Sequence, residues 1–141
     1  MDCWSLSGIY RDVTLFALPA IHFADYTMRT ELKPGGAAEL SLEWIATGAA
    51  NVVGKLLAPD GTLVRDFKCA LADDGHGASK IVIDRPQLWT AESPWLYRVE
   101  FNLKSGDTTL HHVTDRVGLR QVSIDNGVLK LNGTLEWRAV A

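Results

Sequence analysis

Apolar and polar residues alternate along most of this chain, and the alternation predicts strands. Trp95, Tyr97, Val99, Phe101 and Leu103 fall on one face, opposite Leu96, Arg98, Glu100 and Asn102. An antiparallel strand with one face in a core and the other mostly in water reads this way. Ala38, Leu40, Leu42 and Trp44 alternate with Glu39, Ser41 and Glu43 in the same manner. Trp44 and Trp95 therefore fall in core positions. Ile21 and Phe23 share one phase, and Tyr26, Met28 and Leu32 share the opposite one, so the slip near Ala24-Asp25 predicts a bulge. Residues 51–58 and 62–70 flank Pro59-Asp60-Gly61, where proline presets φ and glycine accepts a positive one, and predict a hairpin. Ile81 and Ile83 mark a further strand after the loop Asp73-Asp74-Gly75-His76-Gly77, and residues 108–118 supply another after Ser105-Gly106-Asp107. No segment sustains a helical period. About seven strands between residues 20 and 120 predict an all-β fold, a two-sheet antiparallel sandwich rather than a barrel or an α/β layer.

Such a sandwich needs roughly 100 residues, and the chain has 141. Residues 8–18 read as an extra strand. Residues 120–141 read as a short hairpin element turning at Asp125-Asn126-Gly127 and again at Asn132-Gly133. Both tails are surplus to one sandwich and are expected to be pieces of neighbouring domains. Size scaling gives an unfolded surface of roughly 22,000 Å² and a folded one of roughly 7,000 Å², enough burial for a core without staples. Fourteen basic and 17 acidic residues give a net charge of −3, a mixed balance that offers nucleic acid no electrostatic footprint and a membrane no polybasic surface. Apolar stretches are too short to span a bilayer as a helix, and Met1-Asp2-Cys3-Trp4 lacks the basic and apolar regions of a signal peptide. Cys3 and Cys69, 66 positions apart without metal-binding spacing, are expected as unbridged thiols, at least one of them a small core residue.

Candidate chemistry is sparse. His111 and His112 are adjacent on a predicted strand and so point to opposite faces, which prevents them from chelating one ion; His22 and His76 lie far off in sequence. The loop at Asp73–Gly77 lacks the alternating ligands of a calcium site. Glu39 with Glu43, and Asp25 with Glu31, pair carboxylates on outward faces rather than across a pocket. No nucleophile elbow, P-loop or dinucleotide fingerprint occurs. Asn132-Gly133-Thr134 fits a glycosylation acceptor, but Asn-Gly is also a plain turn. Trp4, Trp89 and Trp137 are assigned to no core by pattern. Neither a catalytic residue, nor a metal ligand, nor a cofactor-binding residue is expected.

Three stretches, in order, resemble glycoside hydrolase family 2. Trp4-Ser5-Leu6-Ser7-Gly8-Ile9-Tyr10-Arg11-Asp12-Val13 is similar to the W-x-x-S-G-I-[FY]-R-x-V signature that ends that family's jelly-roll domain. Pro86-Gln87-Leu88-Trp89-Thr90-Ala91-Glu92-Ser93-Pro94-Trp95-Leu96-Tyr97 resembles its P-x-L-W-[ST]-x-E-x-P-x-L-Y segment. Arg116-Val117-Gly118-Leu119-Arg120 resembles its [RK]-x-G-[FL]-R exit strand, followed by Leu129-Lys130-Leu131-Asn132-Gly133 leading to the barrel. Where family members read R-G-x-N, this chain has Arg138-Ala139-Val140-Ala141.

The resemblance implies that residues 19–120 are an immunoglobulin-like sandwich, that 1–18 end a preceding sugar-binding jelly roll, and that 121–141 are a linker and the start of a truncated catalytic barrel. It implies a parent hydrolysing β-linked sugars with retention, of β-galactosidase type, through two glutamates on the barrel beyond this chain. The segment would then be a non-catalytic spacer with neighbouring domains as its partners; apolar residues of 4–18 and 128–140, left open without them, predict a homodimer through exposed terminal strands. Pro86 and Pro94 would fix a non-helical crossing segment, with Leu88 and Trp89 plugging it onto the sandwich and Tyr97 seated in a hydrogen-bonded corner. The alternative is a stand-alone carbohydrate-binding or adhesion sandwich, which requires an exposed tryptophan platform.

Overall fold

A computed structural model gives the fold. It describes residues 8, 9, 11–48 and 50–137, with side chains described as far as residue 134. Seven strands build the sandwich: β1 (Phe23–Leu32), β2 (Ala38–Ala46), β3 (Asn51–Leu57), β4 (Leu63–Ala70), β5 (His76–Ile83), β6 (Tyr97–Ser105) and β7 (Thr108–Val117). One sheet has the order β1-β2-β5 and the other β4-β3-β6-β7, all neighbours antiparallel. β8 (Val122–Asp125), β9 (Val128–Leu131) and β10 (Thr134–Trp137) form a separate three-stranded meander. No helix is present among the described residues.

The core lies between the two sheets, where the alternation of β2 and β6 points. Ala38, Leu40, Leu42 and Trp44 face Val99, Phe101 and Leu103, and all are essentially without solvent contact. Aromatic rings meet at the centre: Phe101 lies 5.1 Å from Phe23, 5.1 Å from Tyr26 and 5.9 Å from Trp44, mostly edge to face. That geometry brings a positive ring edge to a negative ring face. Trp44 stacks on Phe67 at 5.8 Å. The ring of Phe67 lies across Gly54, where a Cβ would stand 2.3 Å from its tip and 2.5 Å from the Glu100 carbonyl. A glycine in mid-strand thus makes room for an aromatic ring.

The predicted bulge occurs where expected, as a register shift between Phe23 and Asp25. At the β3–β4 turn, Gly61 N–H donates to the Ala58 carbonyl and Asp60 accepts from Thr62 N–H. Between β4 and β5, Asp74 accepts from His76 N–H, so the acidic loop is a turn. In the meander, Asn126 (φ 50°) and Gly127 (φ 76°), then Asn132 (φ 52°) and Gly133 (φ 78°), take left-handed pairs. Consecutive positive φ values are what a tight two-residue hairpin with the natural strand twist demands.

Two expectations are corrected. The extra strand over residues 8–18 does not form among the described residues, which are exposed and unladdered; Val13, Leu15 and Phe16 are 78, 97 and 74% exposed. A strand needs a partner edge, and alternation alone does not supply one. The total surface, 10,039 Å², exceeds the scaled roughly 7,000 Å², and the exposed run from 11 to 20 contributes to the excess. Trp95 is 47% exposed rather than in the core, because its N–H is spent on the Ser93 carbonyl and sheet pairing begins only at Tyr97. Cys69 is a half-buried free thiol, whereas Cys3, Trp4 and Arg138–Ala141 lie outside the described residues.

Candidate functional site

The segment from Pro86 to Leu96, the strand exit at Arg116–Arg120 and the meander converge on one junction. Leu88 packs against the core and Leu119 is fully buried. Trp89 N–H donates to the Leu119 carbonyl (2.9 Å), and the Trp89 carbonyl accepts from Asn132 Nδ2 (3.0 Å). The other end of the Asn132 amide accepts from Gln121 N–H (3.0 Å), while Asn132 N–H donates to the Gln121 carbonyl (2.8 Å). Gln121 in turn reaches β1, accepting from Leu32 N–H through Oε1 (3.1 Å), and Thr30 Oγ1 donates to the Arg120 carbonyl (2.6 Å). Trp89 is clamped between chain segments: the Arg120 guanidinium lies 4.5 Å from its ring centre, and Gly118 leaves the space a Cβ would fill 2.9 Å from its Cγ. Tyr97 closes the corner, its buried hydroxyl accepting from Gln87 N–H at 2.9 Å. Both ends of the Asn132 amide are thereby occupied, which makes it a turn and clamp residue.

A second polar cluster stitches the edge where β1 meets β7. Tyr26 OH donates to Asp115 Oδ2 (2.8 Å), and Phe23 N–H donates to His111 Nδ1 (3.1 Å). Burial, then the Asp115 carboxylate, pushes the Tyr26 phenol up from its ordinary 10.0. Burial, then His22 and His112, pushes His111 down from 6.5. His111 and His112 do point apart: His112 lies against Asn102 (2.8 Å) and Thr114 on the outer face. The fold brings distant His22 within 6.4 Å of His111, a proximity that sequence separation concealed. Among the described residues, no three His, Cys, Asp or Glu side chains converge as a metal ion would require.

Of the carboxylates singled out above, Asp25, Glu31 and Glu43 are exposed and Glu39 is half-buried. Glu39 is bound by Lys80 (3.0 Å) and Lys33 (3.4 Å), and these cations, Lys80 first, hold its carboxyl below the usual range. Glu43 and Asp25 border a shallow depression of about 440 Å³ shared with His76. Ion pairs at a sheet surface of this kind contribute little to stability. Of the tryptophans with described side chains, Trp44 is buried, Trp89 is clamped and Trp95 is exposed.

The two-sheet sandwich has counterparts among known proteins. The profile of Glycosyl hydrolases family 2 matches residues 21–120, the sandwich itself. The chain belongs to this family. It is 33% identical to a beta-galactosidase of Halalkalibacterium halodurans and 37% identical to Beta-galactosidase 2 of Enterobacter cloacae, in each case over 94% of this chain and 14% of the relative. Its fold matches part of a β-glucuronidase from Ruminococcus gnavus in complex with N1-substituted uronic isofagomine. The TM-score is 0.69 and the identity 25%, covering 84% of this chain and 20% of that one. The chain thus spans about one seventh of the curated relatives it matches, and corresponds to a small sandwich domain within a larger enzyme.

Asn132 and Gln121 were not singled out as junction residues by pattern. The signal available for Asn132 was its place in the third family-like stretch; Gln121 carried none.

Proposed function

We propose that residues 19–120 are a non-catalytic, immunoglobulin-like spacer domain of a retaining β-galactosidase-type enzyme. Residues 1–18 are the end of a preceding jelly roll, and residues 121–141 the approach to a catalytic barrel that carries the glutamates. The observation that carries this reading is the Trp89–Leu119–Gln121–Asn132 clamp. It spends backbone and side-chain hydrogen bonds on fixing the meander to the sandwich. Rigidity at that point is what a spacer must provide, since a 1 Å displacement of a neighbouring domain can disrupt a reaction geometry.

Two measurements test the proposal. The chain should not turn over nitrophenyl β-galactoside; reproducible turnover abolished by a single Asp or Glu substitution overturns it. Asn132→Ala should speed amide exchange across Val122–Leu131 while leaving Leu42 and Val99 protected. Unchanged exchange in the meander would refute the clamp. The surfaces left open here, among them Val122 (60% exposed) and Ile124 (76%), are large apolar groups of the kind that neighbouring domains cover. In their absence the isolated chain should dimerise through these terminal segments at millimolar concentration, and a strict monomer by light scattering counts against it.

One observation favours the second reading, a carbohydrate-binding module: exposed Trp95 borders a depression of about 280 Å³ with Glu92, Ser93 and Pro94. Calorimetry against galactosides decides. Millimolar binding lost in Trp95→Ala supports the module, and no heat supports the spacer.

A further inference from the structure

We propose that the sandwich carries a proton-operated latch at its β1–β7 edge: neutral His111 holds the first residue of β1 across the two sheets, and a proton on that ring lets it go. At the β1 bulge, the Phe23 N–H crosses to His111 Nδ1 at 3.1 Å. A backbone N–H can only donate, so Nδ1 must be unprotonated and the ring proton must sit on Nε2. A second proton would turn the contact into two donors facing each other. The half-buried ring also packs on Phe23, 5.6 Å between centroids, so it cannot swing out without disturbing the strand start.

Burial and the two neighbouring histidines act on His111 in one direction. From the chain entering β1 comes His22, whose Nδ1 is 2.8 Å from the Pro19 carbonyl and therefore donates, fixing its ring beside His111. From β6 comes the uncharged Leu103, paired with His111 in register. From β7 itself comes His112 on the opposite face. Asp115, the carboxylate on the same face of β7, is taken by the Tyr26 hydroxyl. Burial and two potential cations thus oppose charging. The sign follows: the fold binds the proton less readily than the unfolded chain. Stabilisation is full above about pH 6.5 and falls as pH drops through the lower folded-state value. Acid therefore loosens the hold on the chain entering β1, independently of what the parent enzyme cleaves.

Nuclear magnetic resonance reads this directly, through the Phe23 amide protection factor and the His111 ring nitrogens, between about pH 8 and about pH 5. Phe23 protection should fall several-fold in step with His111 protonation, while Leu42 and Val99 stay protected. His111→Gln, whose side-chain carbonyl can accept the same bond without titrating, should hold Phe23 at low pH. His22→Ala, which removes a neighbouring cation, should move the transition to higher pH. Protection of Phe23 unchanged across the range overturns the latch, as does the same fall in His111→Gln or a transition unmoved by His22→Ala.

Discussion

The centre of this sandwich and its β1–β7 edge are held by different physics. At the centre, β2, β3 and β6 contribute residues with essentially no exposure, and cohesion comes from apolar area and ring packing. At the edge, β7 turns His111, Val113, Asp115 and Val117 inward, and two of these four are polar acceptors for β1. Where two sheets part at an open edge, water reaches the gap, and directed hydrogen bonds close it without burying a long apolar strip. Changes of volume should therefore act most strongly at the centre, and changes of protonation at the edge.

Substitutions should separate the two regions in order of size. Phe101→Ala removes the ring on which Phe23, Tyr26 and Trp44 converge, and should cost about 3–5 kcal/mol in urea titration. A loss under about 1 kcal/mol would mean the centre repacks freely. Gly54→Ala drives a methyl into Phe67 and the Glu100 carbonyl and should cost about 1–3 kcal/mol, largely relieved in a Phe67→Leu background. Tyr97→Phe keeps the buried ring but strands the Gln87 N–H, at about 1 kcal/mol by thermal melting. Tyr26→Phe should be smallest, about 0.5 kcal/mol near neutrality. Its pH dependence is the mirror of His111: a phenol with raised pKa contributes fully below about pH 10 and loses that contribution as pH rises through its folded value. A Tyr26→Phe difference that shrinks in acid instead would show that the edge is not held in this way.

The spacing of inward residues made β2 and β6 legible because each is flanked by sheet on both sides and one whole face enters the core. The turns were legible for a local reason as well, since proline, glycine and asparagine fix φ within a few residues. The start of β6 was misplaced by one alternation: Trp95 keeps the apolar phase, but the Ser93 carbonyl captures its N–H. Residues 8–18 carry enough apolar side chains for a strand, yet the described ones find no edge to pair with. The junction was half visible. Trp89, Tyr97 and the Asn-Gly turn belonged to recognisable motifs, whereas Gln121 bonds both β1 and Asn132 without any local signature.

Legible in the residues alone were the seven strands of the sandwich, its two-layer class, the bulge in β1, the family, and the inward faces of β2 and β6 from Tyr97 onward. Each of these depends on periodicity or on backbone preferences acting over a handful of neighbours. The edge and the junction depend on how the sheets close. There, Phe23 finds His111 at 88 residues' separation, Tyr26 finds Asp115 at 89 and Thr30 finds Arg120 at 90. A hydrogen bond is set by the position of its partner in space, and that position exists only once the sheets have closed on their core.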